Sequence, residues 1–285
     1  MGRAYSALMK RYRVMAMDFD TRATVLAVEV KDDWAPEVRA QMLRNQAAIR
    51  AELVEAFGPR NFAGKLANLL AIGGSPISLV AFHNRFFEQA RNAFVVGSYY
   101  PALTGICALG ERVLNHLVLT LRDDHADTAD YKRVYRKDSF DNWDVAIEVL
   151  ATWGALLPAT AEQFRRLRDV RHRTLHFNPA TEREARPEAL AALLLFQEII
   201  TTQFAAFGPQ PWYVPNDIGI SFVRKEYVEK PFVKRVVLPG CALVGPAHDL
   251  RAMPGGGWEV LDDGVYPDEE ITDEEFIRRF VEAAR

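Results

Sequence analysis

The sequence predicts a mainly α-helical protein with small β-containing regions towards its two ends. Apolar residues recur at helical spacing in the segments between residues 36 and 207, and Gly or Pro separates one segment from the next. Outside that region the pattern changes to short alternating or β-branched stretches. The 285 residues, 49% of them hydrophobic, can bury a sizeable core as one elaborate domain or two modest ones.

Residues 1–75 are expected to hold a β-hairpin followed by helices. The stretches 14–20 and 24–30 alternate between apolar and polar residues, as half-buried strands do. Pro36 fits the first turn of an amphipathic helix that ends at Gly58-Pro59. A shorter helix over residues 62–72 follows.

Residues 76–208 are expected to form an antiparallel helical bundle. Ser139 can cap one of its helices, and Thr160 with Gln163 has the form of a capping box for the next. The last helix is apolar almost all round and should be central to the bundle. The helices are expected over roughly 75–96, 101–122, 139–157, 160–178 and 187–207.

Residues 209–285 are expected to form a β-rich region with a terminal helix from Asp273. Pro-rich turns separate the β-branched stretches 218–223, 233–238 and 258–261, which could share a sheet with the N-terminal hairpin. Residues 258–275 contain nine acidic side chains and no Lys or Arg. Such a run is usually a solvated face, and a partner-binding tail is the alternative.

Charge and cysteine content exclude several classes of protein. The 35 Lys and Arg residues against 38 Asp and Glu residues give a net charge of −3, so any nucleic acid must be bound by a local patch. Cys107 and Cys241 fit neither a disulfide framework nor a thiolate zinc site. The longest apolar run, 189–196, is shorter than the roughly 18–20 residues of a membrane span. We therefore expect a cytoplasmic protein that is neither membrane-inserted nor secreted.

Positive charge is concentrated in residues 160–179. Five arginines and two histidines accompany a single aspartate between Gln163 and Phe177. Guanidinium groups bind phosphate, and imidazole exchanges protons near neutral pH, so the combination suits RNA chemistry. The basic residues are Arg165, Arg166, Arg168, Arg171, His172, Arg173 and His176.

Arg171 falls within the apolar stripe of this predicted helix, four residues after Leu167 and four before Leu175. An arginine is costly there unless a carboxylate, a carbonyl or an anionic ligand pairs with it. One interpretation is structural: Arg171 reaches a buried acid such as Glu111. The other is functional, with Arg171 contacting a phosphate. Both stay open at the level of sequence.

The segment from Arg171 to His176 resembles the Arg-x4-His signature of HEPN domains. The preceding helices are similar to that family's opening pair: residues 90–94 precede Gly97-Ser98-Tyr99-Tyr100-Pro101-Ala102, and Glu111 follows in the middle of the second helix. The resemblance covers about residues 77–207. It implies a HEPN-like antiparallel helical bundle.

The resemblance also implies a metal-independent endoribonuclease of toxin, antiphage or RNA-processing systems, with its active site at a homodimer interface. It makes Arg171 and His176 the catalytic pair, with His172 and Glu111 as supporting residues. No cofactor or metal is expected, and the expected partners are RNA, a second copy of the chain and an antitoxin or regulatory protein. The alternative is a HEPN-like module that binds RNA or protein without cleaving.

Helix geometry is consistent with a site shared between two chains. Five residues turn a helix by about 140°, so Arg171 and His176 of one chain do not project together. Apposing two copies would let both surround one phosphate. His176 would then act as general base or acid, and Arg171 would stabilise the transition state.

Two further patterns involve basic residues. His172 and His176 have the i, i+4 spacing of a zinc pair, but Arg173 stands where metalloproteases have Glu, so we expect no metal. A second basic group, interleaved with tyrosines, could hold RNA by charge and stacking, and a solvated loop is the alternative. The expected RNA-binding residues are Arg165, Arg168, Arg173, Lys132, Arg133, Arg136 and Lys137.

Overall fold

A computed structural model of the protein describes residues 7–79, 81–140, 142–175, 185–254 and 256–284. Most of them are helical, which confirms the predicted mainly α fold. In chain order the elements are β1 (Arg11–Val14), β2 (Asp18–Asp20), α1 (Arg22–Ala27), α2 (Pro36–Phe57), α3 (Phe62–Ile72), β3 (Ser75–Ser78), α4 (Ala81–Val95), α5 (Tyr99–Leu121), α6 (Tyr131–Val134), α7 (Trp143–Thr152), α8 (Pro158–Leu175), α9 (Ala185–Ile199), β4 (Phe222–Val223), β5 (Cys241–Val244), β6 (Asp249–Ala252), β7 (Trp258–Leu261) and α10 (Asp273–Ala283).

Helix α5 is the central helix of the bundle. It packs against α4, α7, α8 and α9, and residues along its whole length are buried. The stretch Tyr99–His125 is long and apolar enough to cross a membrane by length and composition alone, and 56% of its apolar window is buried inside the protein. Its central position accounts for this apolar character. The cytoplasmic location stays a prediction.

The predicted bounds of α2 and α3 are confirmed. Pro36 is the first residue of α2, where its missing N–H costs no intrahelical hydrogen bond. Helix α3 ends before Gly73, which has a φ of +67°. Glycine adopts such a positive φ readily, and the helix ends there.

The predicted N-terminal β-hairpin is wrong. Residues 24–30 form no strand; instead α1 covers Arg22–Ala27, and its buried residues Ala23 and Leu26 lie one turn apart. Strand β1 pairs with β4 and β5 from the other end of the chain, and β2 pairs with β3. Alternation over a few residues fits a strand or a helical turn, so the local pattern could not distinguish them.

Four other helices begin or end differently from the prediction. Residues 75–78 form β3, so α4 begins at Ala81. Asn142 caps α7 by accepting a hydrogen bond from Asp144 N at 3.0 Å, a role expected for Ser139. No capping box forms at Thr160, because α8 already begins at Pro158. Helix α9 ends at Ile199 and continues as a π-helical turn, Ile200–Phe204.

The C-terminal region shares a sheet with the N-terminal region, as expected. Strand β1 lies between β4 and β5, antiparallel to both. The predicted stretch 218–223 is reduced to β4, and 233–238 is not β: Val233–Val237 is a π-helical turn. Strand β7 and helix α10 have the predicted bounds. This sheet joins the N-terminal and C-terminal regions. The division of the chain into segments 1–75, 76–208 and 209–285 stays a prediction.

The acidic stretch 258–275 is not purely solvated, because part of it binds basic residues elsewhere in the chain. These contacts tie it to β1 and to the segment after β4. The ion pairs are Lys10–Asp262 at 2.7 Å, Lys225–Glu270 at 2.5 Å and Arg11–Asp273 at 2.5 Å.

Candidate functional site

Helix α8 places its predicted apolar stripe in the bundle core. Phe164, Leu167, Val170 and Thr174 are buried, as their spacing predicts. Arg171 lies at the border of this stripe, and its side chain is 23% exposed. The described part of the helix ends at Leu175, so His176 lies outside the described residues.

Arg171 is held by side chains from two other helices. Its Nη2 lies 3.0 Å from Oε2 of Glu111 on α5. The same oxygen accepts a hydrogen bond from Nε1 of Trp143 on α7 at 3.2 Å, and Arg171 Cζ lies 5.9 Å from the centre of the Trp143 ring. We call these residues the Arg171 cluster. The contact with Glu111 that the structural interpretation of Arg171 predicts is present.

The Arg171 cluster leaves part of the guanidinium open. Within the described ranges, Nη2 is the only nitrogen of Arg171 with an ion-pair or hydrogen-bond partner. A guanidinium offers five N–H groups in a planar fork that matches phosphate oxygens. Glu111 can therefore orient Arg171 while other N–H groups contact an anion.

Gly110 allows three helices to meet at the cluster. A Cβ atom on Gly110 would lie 2.6 Å from Cη2 of Trp143 and 2.8 Å from Cδ2 of Leu167. Both distances are far below the 3.5–4.0 Å of a favourable carbon contact. Glycine is therefore required directly before Glu111. Sequence analysis missed this role, because the need for it arises only when α5, α7 and α8 pack together.

Cys107 is buried on α5, one turn before Glu111, and its thiol is unsuited to act as a nucleophile. Its Sγ is 3.9 Å from Thr174 Oγ1, and Thr174 donates to the Val170 carbonyl at 2.9 Å. Burial raises the pKa of the Cys107 thiol to about 11, so it stays protonated at neutral pH.

Most of the arginines that make α8 basic are already paired with carboxylates. Two of the acids come from other helices, so the excess of positive charge in the linear segment is largely balanced in the fold. The pairs are Arg165–Glu162 at 3.3 Å, Arg166–Glu198 at 3.5 Å, Arg168–Asp169 at 2.8 Å and Arg168–Asp144. Exposed pairs of this kind are weak, so Arg165 and Arg168 can still exchange a carboxylate for a phosphate.

His172 and Arg173 are exposed near the end of α8. Arg173 makes no ion pair with any residue that the structure describes, unlike Arg165 and Arg168. Of the three arginines of α8 expected to bind RNA, Arg173 is therefore the one whose charge is not offset by a described acid.

The second basic group surrounds the short helix α6. Lys132, Arg133, Arg136 and Lys137 are all exposed. Arg133 pairs with Asp130 at 2.9 Å and with Glu148 of α7 at 2.7 Å. Two aromatic contacts order the rest: the rings of Tyr131 and Tyr135 stack with centres 5.5 Å apart, and Arg136 Cζ lies 5.0 Å from the Tyr135 ring centre. The tyrosine rings thus stack on each other, and Arg133 and Arg136 are engaged within the protein, so RNA binding by this group stays a prediction.

A groove that sequence analysis did not identify runs beside Glu111. It has a volume of about 360 Å³, and α5 contributes Glu111, Arg112, Asn115 and His116 to it, with His83 from α4. Their positions on α5 form a polar stripe at i, i+1, i+4 and i+5 on an otherwise apolar helix. This polar stripe is the feature of the sequence from which the groove could have been predicted.

Two histidines meet in this groove. His83 Nε2 lies 3.1 Å from His116 Nδ1. Burial, with the nearby positive charges of His116 and Arg112, lowers the pKa of His83 to about 4. His83 is therefore neutral at pH 7, whereas His116 is exposed to solvent.

No group of three or more His, Cys, Asp or Glu side chains that could hold a metal ion occurs in the described ranges. Comparisons of the chain with protein-family models, with curated proteins and with solved structures give no match. The resemblance to HEPN domains therefore rests on the motif residues and on the helices that carry them.

Proposed function

We propose that the protein is a metal-independent endoribonuclease with a HEPN-like helical bundle. The observation that carries the proposal is the environment of Arg171. Glu111 Oε2 lies 3.0 Å from Arg171 Nη2 and accepts a hydrogen bond from Trp143 Nε1 at 3.2 Å. The guanidinium is thus held on one side yet remains 23% exposed, and its partner Glu111 lines a polar groove. An arginine that is fixed on one side and open on the other is suited to bind a phosphate.

The chemistry follows from the two motif residues. One His176 imidazole removes the proton of a ribose 2′-hydroxyl, and the oxygen attacks the adjacent phosphorus. The bond to the 5′-oxygen of the next nucleotide breaks, and that oxygen is protonated by a second imidazole. Arg171 stabilises the added negative charge of the phosphorane-like transition state. The products carry a 2′,3′-cyclic phosphate and a 5′-hydroxyl.

The proposal includes a homodimer in which two α8 helices face one another, because the five-residue spacing of Arg171 and His176 in the sequence corresponds to a turn of about 140° in a regular helix. His172 and Arg173 then lie near the bound RNA, with Arg165, Arg168 and the α6 group as further phosphate contacts. A toxin or antiphage-defence effector, controlled by an antitoxin or regulatory protein, is the expected setting.

A second candidate is a HEPN-like module that binds RNA or protein without cleavage. The ion pair between Arg171 and Glu111 favours it, because an Arg171 that serves to stabilise the bundle leaves the motif without its transition-state cation. Such a module would use the same surface, with an Arg-x4-His motif that does not cleave RNA.

The two candidates are distinguished by incubating purified protein with a mixed RNA pool in EDTA. Cleavage that persists in EDTA and is lost in Arg171→Ala and His176→Ala supports the nuclease. RNA that is bound but stays intact supports the binding module. Arg166→Ala is the control, since Arg166 lies on the same helix as Arg171 but pairs with Glu198 of α9, outside the Arg171 cluster.

A further inference from the structure

A second cavity of about 360 Å³ lies between the β2–β3 ladder, the end of α3 and one face of α4. It shares no lining residue with the Arg171 cluster or with the groove beside Glu111. Helix α4 contributes Asn84, Glu88, Arg91, Asn92 and Val95, which recur at helical spacing. The cavity is therefore a separate site.

Arg91 is the buried cation of this cavity. Its side chain is 4% exposed, and Nη2 donates to the Gly73 carbonyl at 2.6 Å. Nη1 is buried and has no hydrogen-bond partner. Burial lowers the pKa of Arg91 to about 10, so it is charged at pH 7. A buried charge with an unused donor is costly unless something binds it.

Asn84 supplies a second unused donor. It is 7% exposed, and its Nδ2 is also buried without a hydrogen-bond partner. Arg91 Cζ lies 5.6 Å from the Phe87 ring centre, so the Arg91 side chain extends back along α4 towards Asn84. Two residues that each carry a buried, unpaired donor thus line one cavity. Native proteins leave few such groups unsatisfied, and a ligand that accepts both hydrogen bonds explains them.

Opposite α4, the cavity is lined by Ile72 and Ser75, which flank the turn at Gly73 and Gly74. The positive φ of Gly73 ends α3 next to Arg91, whose guanidinium binds the Gly73 carbonyl. At Gly74 a Cβ atom would lie 2.6 Å from Thr24 Oγ1 and 2.9 Å from the Asp20 carbonyl oxygen. The turn is therefore packed tightly against β2 and α1, and the cavity is a formed feature of the fold.

The charges around the cavity limit what can bind. Asp18 and Glu88 are exposed and have no ion-pair partner among the residues described here. Asp20 is occupied by Arg22, whose Nη2 lies 3.0 Å from Asp20 Oδ2. Three carboxylates against two guanidinium groups repel a polyanion such as a nucleotide. The free acids attract a cationic group, while Arg91 attracts an anionic one.

We propose that this cavity binds a free aliphatic amino acid. The ligand carboxylate accepts hydrogen bonds from Arg91 and Asn84, and its ammonium group is placed by Asp18 and Glu88. The aliphatic side chain contacts an apolar part of the lining, formed by the buried residues Leu69, Ile72 and Val95. The volume accommodates a ligand of this size.

Isothermal titration calorimetry with L-valine, L-leucine and L-isoleucine tests the proposal. At least one should bind at concentrations of about 1 mM or below. Each charge is tested on the leucine skeleton: 4-methylpentanoate lacks the ammonium group, isopentylamine lacks the carboxylate, and each should bind about 10-fold or more weakly. Inorganic phosphate should not bind. Failure of all three amino acids, or tighter binding of phosphate, would overturn the proposal.

Variants separate a binding role from a structural one. Asn84→Leu removes an unpaired buried donor, so the melting temperature of the unliganded protein should stay the same or rise, while amino-acid affinity falls about 10-fold or more. Arg91→Met should abolish binding. Arg85→Gln, at an exposed position on the same helix, is the control and should bind normally. Unchanged affinity in Asn84→Leu would contradict the site, even if Arg91→Met fails to fold.

Discussion

Arg171 on α8 and Glu111 on α5 form an ion pair, with Nη2 and Oε2 3.0 Å apart. The two side chains are 23% and 30% exposed, so the pair is neither sealed in the core nor free on the surface. One geometry thus accommodates both interpretations of Arg171. The carboxylate satisfies the cation in the resting protein, and the open side of the guanidinium is available to an anion.

The first prediction separates the catalytic role of Arg171 and His176 from the contribution of Arg171 to stability. Arg171→Ala and His176→Ala should each reduce RNA cleavage about 10²-fold or more, the usual effect of removing a charge-stabilising or acid–base group. Arg171→Ala should lower the free energy of unfolding by only about 1 kcal/mol, since a partly exposed ion pair contributes little. Cleavage rates and denaturant unfolding measure the two effects, with Arg166→Ala as the matched control. Full activity in both variants would contradict the assignment.

The second prediction concerns the packing that holds Trp143 against Glu111. Gly110→Ala introduces a Cβ 2.6 Å from the Trp143 ring, so it should displace the indole, lower the free energy of unfolding by about 1–3 kcal/mol and reduce cleavage. Gly105→Ala, on the same helix, meets only Ala90 Cβ at 3.5 Å and should be neutral or stabilising. Thermal unfolding and cleavage assays of both variants test this difference. Equal behaviour would contradict the packing at Gly110.

Local signals explain which parts of the fold the sequence predicted. Helices α2 and α3 were placed correctly because Pro36, Gly58 and Gly73 mark their ends chemically. The register of β1 against its partner strands could not be predicted. Tyr12 lies opposite Val223 and Leu243, which are more than two hundred residues away in the sequence. Pairing over that distance depends on the whole fold, and no local pattern encodes it.

The same distinction holds at the candidate site. The Arg171–Glu111 contact was one of two interpretations open in the sequence, because an arginine in an apolar stripe is costly unless a carboxylate, a carbonyl or an anionic ligand pairs with it. The pairing of Arg168 with Asp144 was not predicted, because it depends on how α7 packs beside α8. The contact between His83 and His116 likewise joins α4 and α5. The sequence pattern of neither helix indicates that the two histidines are neighbours.

The third prediction is a pH dependence of stability due to His83. Its pKa in the folded protein is about 4, below the ordinary 6.5, because burial disfavours the charged imidazole. Between these values the unfolded chain binds a proton that the folded chain does not, so the free energy of unfolding falls as pH decreases from about 6.5 to 4. The loss is at most about 3 kcal/mol. His83→Gln should remove this contribution in unfolding curves at pH 4–7, and an unchanged pH slope would contradict it.

The fourth prediction concerns assembly. Because the five-residue spacing of Arg171 and His176 in the sequence corresponds to a turn of about 140° in a regular helix, cleavage should require two chains whose α8 helices face one another. Light scattering of active protein should give the mass of a homodimer, and activity should fall on dilution below the dimer dissociation constant. A strictly monomeric preparation that still cleaves RNA would refute the shared site.

The central claim is that the substrate's own 2′-hydroxyl is the nucleophile. The most direct measurement uses an RNA with one mapped cleavage position and a copy in which only the nucleotide 5′ of the cut is replaced by its 2′-deoxy form. In EDTA the RNA should be cut to products whose 5′ ends accept phosphate from a kinase without prior dephosphorylation, and the deoxy copy should stay intact. Products with 5′-phosphate ends, or a deoxy copy cut at an unchanged rate, would contradict the mechanism and the role given to His176.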